Sequence, residues 1–125
     1  MIVHATPGRH VLADLRGIAA SALSDADVLQ RVLIDAANQA GAHVLGAHFH
    51  HFGEQAGVTG VVILSESHIS IHTWPEHGFA ALDIFMCGAA QPEQALQHVR
   101  EALRPASEHI TCVDRGRDVD ALVKA

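Results

Sequence analysis

The sequence predicts an α+β fold, a two-layer sandwich in which two helices cover one face of a mainly antiparallel sheet. Three observations predict it. Short alternating or continuous apolar segments outnumber helical ones, in the order β-α-β-β-β-α-β with one interruption at Glu66-Ser67. Only two segments carry apolar residues at helical spacing, each with start and stop signals. And 125 residues with 49% apolar content suit one core and one domain, residues 1–125.

Residues 8–17 alternate and read as the first strand. Ser24 is the expected N-cap of a helix with Asp25 and Asp27 in its first turn. Val28, Leu29, Val32, Leu33, Ala36, Ala37 and Ala40 then recur on one face, and Gly41 is placed to end the helix. Residues 42–52 read as a strand and 53–57 as a loop. The apolar run 59–64 predicts a strand buried on both faces. Residues 67–73 alternate, Pro75 to Gly78 form a turn, and 79–87 alternate again. Pro92 suits the first position of a second helix, whose apolar face is Ala95, Leu96, Val99, Ala102 and Leu103, and Pro105 ends it. Residues 108–114 close the domain. The sheet face away from the helices needs a cover, and a second subunit is the natural one.

Composition narrows the function. A net charge of −6 with no basic run argues against nucleic acid or an anionic membrane as partner. Met1 to His10 contain no signal-peptide core and no stretch has the length of a membrane span, so a cytoplasmic location is expected. Cys87 and Cys112 lack metal-like spacing and are expected as thiols. A chain of this size has no room for a large internal cleft, so an active site at a subunit interface is expected.

The chemistry concentrates in residues 64–76, Leu-Ser-Glu-Ser-His-Ile-Ser-Ile-His-Thr-Trp-Pro-Glu. A serine hydroxyl attacks the preceding carbonyl only if the planar amide is held in a strained geometry. An ester results. Loss of the serine Cα proton then breaks it by elimination, and the new amino-terminal residue loses ammonia to leave a pyruvoyl group. These proton transfers need a relay, and His72 is a candidate. Regular pleating puts Ser67, Ile69, Ile71 and Thr73 on one face and His68, Ser70 and His72 on the other. His72 therefore reaches Ser67 only if the strand bends or breaks at Glu66-Ser67.

Each residue also has a plainer reading. Cys87, on the face of Phe79, Ala81, Asp83 and Phe85, suits a small buried hydrophobe. Glu76 suits a solvated turn acid, Phe52 a core residue, and Trp74 an anchor of the turn. His48 and His50 share a face but give too few ligands for a closed zinc site, so no metal is expected. Asp83 is a candidate partner for Arg9 or Arg16.

Residues 66–76 and Phe79-Ala80-Ala81-Leu82-Asp83-Ile84-Phe85-Met86-Cys87-Gly88 together resemble the short prokaryotic S-adenosylmethionine decarboxylases. Gly8-Arg9-His10, Phe49-His50-His51-Phe52 and Gly57-Val58-Thr59-Gly60-Val61-Val62 resemble that family too, so the likeness runs from about residue 8 to Gly116. The resemblance implies self-cleavage at Glu66-Ser67 into a β chain, 1–66, and an α chain, 67–125, that begins with a pyruvoyl group made from Ser67. It implies that His72 serves processing, that Thr59 assists it where some members have serine, and that Cys87 protonates the substrate Cα. Glu76 would bind the ribose hydroxyls and Phe52 would stack on adenine. Glu66 would stay beside the site, and Trp74 either lines it or only anchors the turn. The substrate amine would join the pyruvoyl carbonyl as a Schiff base, and decarboxylated S-adenosylmethionine would serve as aminopropyl donor for spermidine. The resemblance also implies a homodimer of processed protomers with residues of both near each site. Two other functions stay open: a same-fold arginine or ornithine decarboxylase, and an unprocessed, non-catalytic binding or regulatory subunit.

Overall fold

The computed structural model describes residues 8–116. Nine elements make up the main frame: β1 (Gly8–Arg16), α1 (Ala20–Leu23), α2 (Ala26–Gln39), β2 (Val44–His51), β3 (Val58–Leu64), β4 (Ser67–Trp74), β5 (Phe79–Met86), α3 (Pro92–Leu103) and β6 (Ser107–Arg115), with a 3-10 turn at Pro75–His77. The strands form one six-stranded sheet in the order β2-β3-β4-β5-β1-β6, and every neighbouring pair is antiparallel. The two long helices lie on one face, as expected.

The core between the layers is apolar. Val11, Ala13 and Leu15 of β1, Val62 and Leu64 of β3, Ile69 and Ile71 of β4, and Leu82, Ile84 and Met86 of β5 are buried from the sheet side. Leu29, Leu33, Ala36 and Ala37 of α2 and Ala95, Leu96, Val99 and Leu103 of α3 meet them. The alanines let α2 lie close to the sheet. Phe49 of β2 lies over its cross-strand partner Gly60, where a Cβ would collide with the ring.

Three expectations change. The N-cap of α2 is Asp25, whose carboxylate accepts from Val28 N at 3.1 Å, while Ser24 ends the short α1. Val28 consequently falls on the solvent side of the first turn, 44% exposed. β3 is not buried on both faces: Val58, Gly60, Val62 and Leu64 point inward, but Ile63 is 49% exposed on the other side. The runs 59–64 and 67–73 form two strands, as expected, joined by a turn at Ser65-Glu66. Gly41, at φ +79°, ends α2 as expected, and α3 starts at Pro92 and ends on left-handed Arg104 just before Pro105.

One buried hydroxyl ties α1 to the sheet. Thr73 Oγ1 donates to Leu23 O at 2.7 Å and accepts from Val58 N at 2.9 Å. Removing it strands a buried carbonyl and a buried amide at once. Thr73→Val should therefore lower stability by about 2 kcal/mol, measured by urea unfolding, despite its matched volume.

Candidate active site

The turn between β3 and β4 is unusual. Leu64 pairs with Ser67, leaving only Ser65-Glu66 to reverse the chain. Two-residue hairpin loops normally rely on glycine or asparagine at positive φ. Neither residue is present here, and the distortion falls on Ser67, at φ +146°. A side chain in that region costs about 1–3 kcal/mol and persists only where the surroundings hold it.

The holding contacts are explicit. Ser65 N donates to His43 O at 2.9 Å. The Glu66 carboxylate, 6% exposed, accepts from His43 N at 2.8 Å and from His43 Nδ1 at 2.6 Å. The Glu66 carbonyl accepts from Cys87 N and from Cys87 Sγ, each at 3.1 Å. So the amide preceding Ser67 has its carbonyl oxygen fixed by two donors of one residue. Burial pushes the Glu66 carboxyl up, but the His43 hydrogen bonds outweigh it and hold it below the usual carboxylate value. Burial raises the Cys87 thiol, and the nearby Glu66 charge adds to the rise, so the sulfur keeps its proton near neutrality.

A second group gathers at the opposite end of the same strands. Phe52, Thr59, His72, Trp74 and Glu76 line a hollow of about 220 Å³. Thr59 and His72 face each other across β3 and β4, with Oγ1 and Nδ1 3.2 Å apart. Trp74 stacks on Phe79 with ring centroids 5.2 Å apart, and Phe52 is 63% exposed. β4 runs unbroken from Ser67 to Trp74. At roughly 3.3 Å per residue, His72 lies about 16 Å along it from Ser67. The expected break occurs at Ser65-Glu66, yet it does not bring His72 to Ser67 within one chain.

Between the two groups, on the open sheet face, lies a cluster the sequence reading missed. Asp83 Oδ1 accepts from His10 Nε2 at 3.0 Å and His68 Nε2 at 2.8 Å, and Ser70 Oγ donates to Oδ2. Asp83 thus pairs with histidines rather than with Arg9 or Arg16; Arg9 pairs with Glu93, and Arg16 lies over the Phe79 ring. Strand parity grouped His68 with Ser70 in one strand and Asp83 with Phe85 in another, but the cross-strand register that brings them together with His10 is not written in the sequence. The three ligand atoms lie within 4.8 Å of one another, close enough to surround a metal ion. Arg115 donates to His10 Nδ1 at 3.0 Å, however, which leaves neutral His10 with its proton on Nε2, aimed at Asp83. The set is therefore arranged as donors around a carboxylate. Burial pushes Asp83 up, and the Ser70, His10 and His68 hydrogen bonds more than reverse it.

Comparison with known proteins decides the family. Residues 9–116 match the family model described as S-adenosylmethionine decarboxylase. The chain belongs to that family. It is 44% identical over 110 residues to the S-adenosylmethionine decarboxylase proenzyme of Moorella thermoacetica, covering 87% of each chain. It is 41% identical over 118 residues to the proenzyme of Methanococcus maripaludis, covering 94% of this chain and 96% of that one. The crystal structure of the Aquifex aeolicus adenosylmethionine decarboxylase superposes with a TM-score of 0.80 at 36% identity, over 88% of this chain and 91% of that one. The family fold and the α+β sandwich agree. No helix among the described residues is long and apolar enough to cross a membrane.

The Glu66 clamp has a pH signature. Its folded pKa lies below the ordinary glutamate value, so its stabilisation is complete above that ordinary value and disappears as pH falls through the lowered one. In a Ser67→Ala background, the thermal midpoint should drop on acidification below about pH 5. Adding Glu66→Gln should flatten that drop in part, leaving the share carried by Asp83.

Proposed function

We propose that this chain is a proenzyme that cleaves itself between Glu66 and Ser67 and then decarboxylates S-adenosylmethionine, with two copies completing each site. The observation that carries the reading is the strained Ser67 joined to a carbonyl that both Cys87 donors grip. Attack by Ser67 Oγ turns that carbonyl oxygen into an oxyanion, and preorganised donors stabilise the charge as it develops. The C–N bond then breaks and the acyl group passes to Oγ, relieving the backbone distortion. Removal of the position-67 Cα proton then breaks the Cβ–Oγ bond and expels the main-chain carboxylate of Glu66, its new carboxyl terminus. Hydrolytic loss of ammonia leaves a pyruvoyl group at position 67.

The residues around position 67 fit that group: a serine to form it, a glutamate left as a new carboxyl terminus, and a protonated thiol. When formed, the pyruvoyl group supplies an electron sink for the charge left on the substrate Cα as carbon dioxide departs. Cys87 holds its proton at neutral pH and is the donor for that carbon. Phe52 and Trp74 offer aromatic faces for adenine, Glu76 offers acceptors for ribose hydroxyls, and the sulfonium charge suits aromatic neighbours. This grouping favours a nucleoside substrate over arginine or ornithine, which have no use for a stacking platform. A cytoplasmic location accords with this chemistry.

A second copy resolves the distance between the two groups. Leu12, Ile63, Trp74 and Val113 are exposed apolar residues on the open sheet face. Packing two such faces about a two-fold axis lying between the sheets and across the strands reverses one set of strands. The Thr59–His72 end of one copy then lies over the Ser67–Cys87 end of the other. In this assembly His72, backed by Thr59, relays protons for the partner's processing, and Phe52, Trp74 and Glu76 hold the partner's substrate.

Two experiments test this. Intact mass should show the chain resolving into residues 1–66 and 67–125, with carbon dioxide released from S-adenosylmethionine and not from arginine. Ser67→Ala should stay whole. A wild-type chain that also stays whole after long incubation would point to a binding subunit. Secondly, co-expressed Ser67→Ala and His72→Ala chains, each uncut alone, should yield cut His72→Ala chain. A mixture that stays wholly uncut would place His72 outside the partner's site.

A further inference from the structure

His43 stands just before β2, and both of its backbone polar groups go to the Ser65-Glu66 turn rather than to the strand ladder. A register shift between Val44 and Gly46 marks the start of β2, so the chain at His43 is free of strict pairing. Its ring adds a third bond, from Nδ1 to a Glu66 carboxylate that is itself almost wholly buried. An ionised carboxylate only accepts, so Nδ1 carries the proton. The rest of the side chain is open, 75% exposed, and serves no packing purpose.

We propose that His43 is a positioning residue for self-cleavage, acting through the side chain of Glu66. The proposal rests on the processing reaction put forward above. Glu66 contributes two groups to that reaction's geometry: its carbonyl is the bond attacked, and its carboxylate is the handle by which the turn is held. Cys87 fixes the carbonyl from the β5 side, and His43 fixes the carboxylate from the β2 side. With both in place, the two-residue turn cannot relax, and the distortion stays on Ser67. With the ring bond gone, the backbone amide of His43 alone holds one carboxylate oxygen, and the turn has a route to an unstrained, unreactive form.

The test is the rate of chain cleavage, followed by intact mass from freshly made protein. His43→Ala should slow cleavage roughly ten- to a hundredfold, the size of one hydrogen bond to a charged group. His43→Asn places an amide N–H where Nδ1 stood and should recover most of the rate. Thermal midpoints of the same variants in a Ser67→Ala background separate positioning from general loss of stability. Slow cleavage in His43→Ala with recovery in His43→Asn, and a midpoint loss no larger than one hydrogen bond explains, supports the proposal. Cleavage of His43→Ala at the wild-type rate overturns it, as does an equal slowing in both variants that tracks a fall in midpoint. If wild type itself is never cut, the processing reading fails and this proposal with it. If wild type is cut while His43→Ala is cut equally fast, only the role of His43 fails.

Discussion

The grip on the Ser65-Glu66 turn is the constraint on which the rest depends. A hairpin without glycine or asparagine at its tip would ordinarily slip its register or lengthen its loop. Here neither outlet is available. β3 and β4 are central strands with buried side chains on both sides of the turn, so a one-residue slip would turn Val62, Leu64, Ile69 and Ile71 out of the core. The hydrophobic layer thus fixes the register, the register fixes the loop at two residues, and the loop passes its distortion to Ser67. The polar contacts from His43 and Cys87 do not create this strain. They remove the ways of escaping it.

The sheet separates the two tasks that such a catalyst has to perform. One end carries the groups proposed to break a peptide bond and later to move a proton. The other carries aromatic and acidic groups suited to holding a nucleoside. A single β-strand links them, and its rigidity keeps them apart within one chain. The open face between them is not featureless: the Asp83 cluster places a hydrogen-bonded carboxylate, two histidines and an arginine in a region otherwise bordered by Leu12, Ile63 and Val113. A half-buried carboxylate satisfied by three donors tolerates a drier environment than a bare one.

Much of this was legible in the chain. All six strands were placed to within about two residues, and alternation located β1, β4 and β5, whose inward residues are apolar at every second position. Pro92, Pro105 and Gly41 punctuated the helices through backbone geometry that no packing could override. The break before Ser67 was anticipated from the chemistry of a strained amide. What alternation could not supply was register. Nothing local links His10 to Asp83, 73 residues away, or His43 to Glu66, 23 residues away. The cap shifted from Ser24 to Asp25 because Ser24 was already committed to its bond with Ala20 O in α1. β3 read as doubly buried because Val61 and Ile63 are apolar on the face that lacks a cover in one chain.

The place of the proposed cut within the strand order would have a consequence for the molecule's later life. Severing the β3–β4 turn assigns β1, β2 and β3 to one fragment and β4, β5 and β6 to the other. In the sheet, however, β1 lies between β5 and β6, and β4 lies between β3 and β5. The fragments are interleaved and share three of the sheet's strand-to-strand seams, so they cannot drift apart as two docked lobes would. The precursor folds as a single chain, with all its strands tethered. The processed form, once unravelled, would have to find its other half in solution, so its recovery would depend on concentration. Such a cut would convert a unimolecular folding problem into a bimolecular one, and the two fragments would be held together by the memory of having folded in one piece.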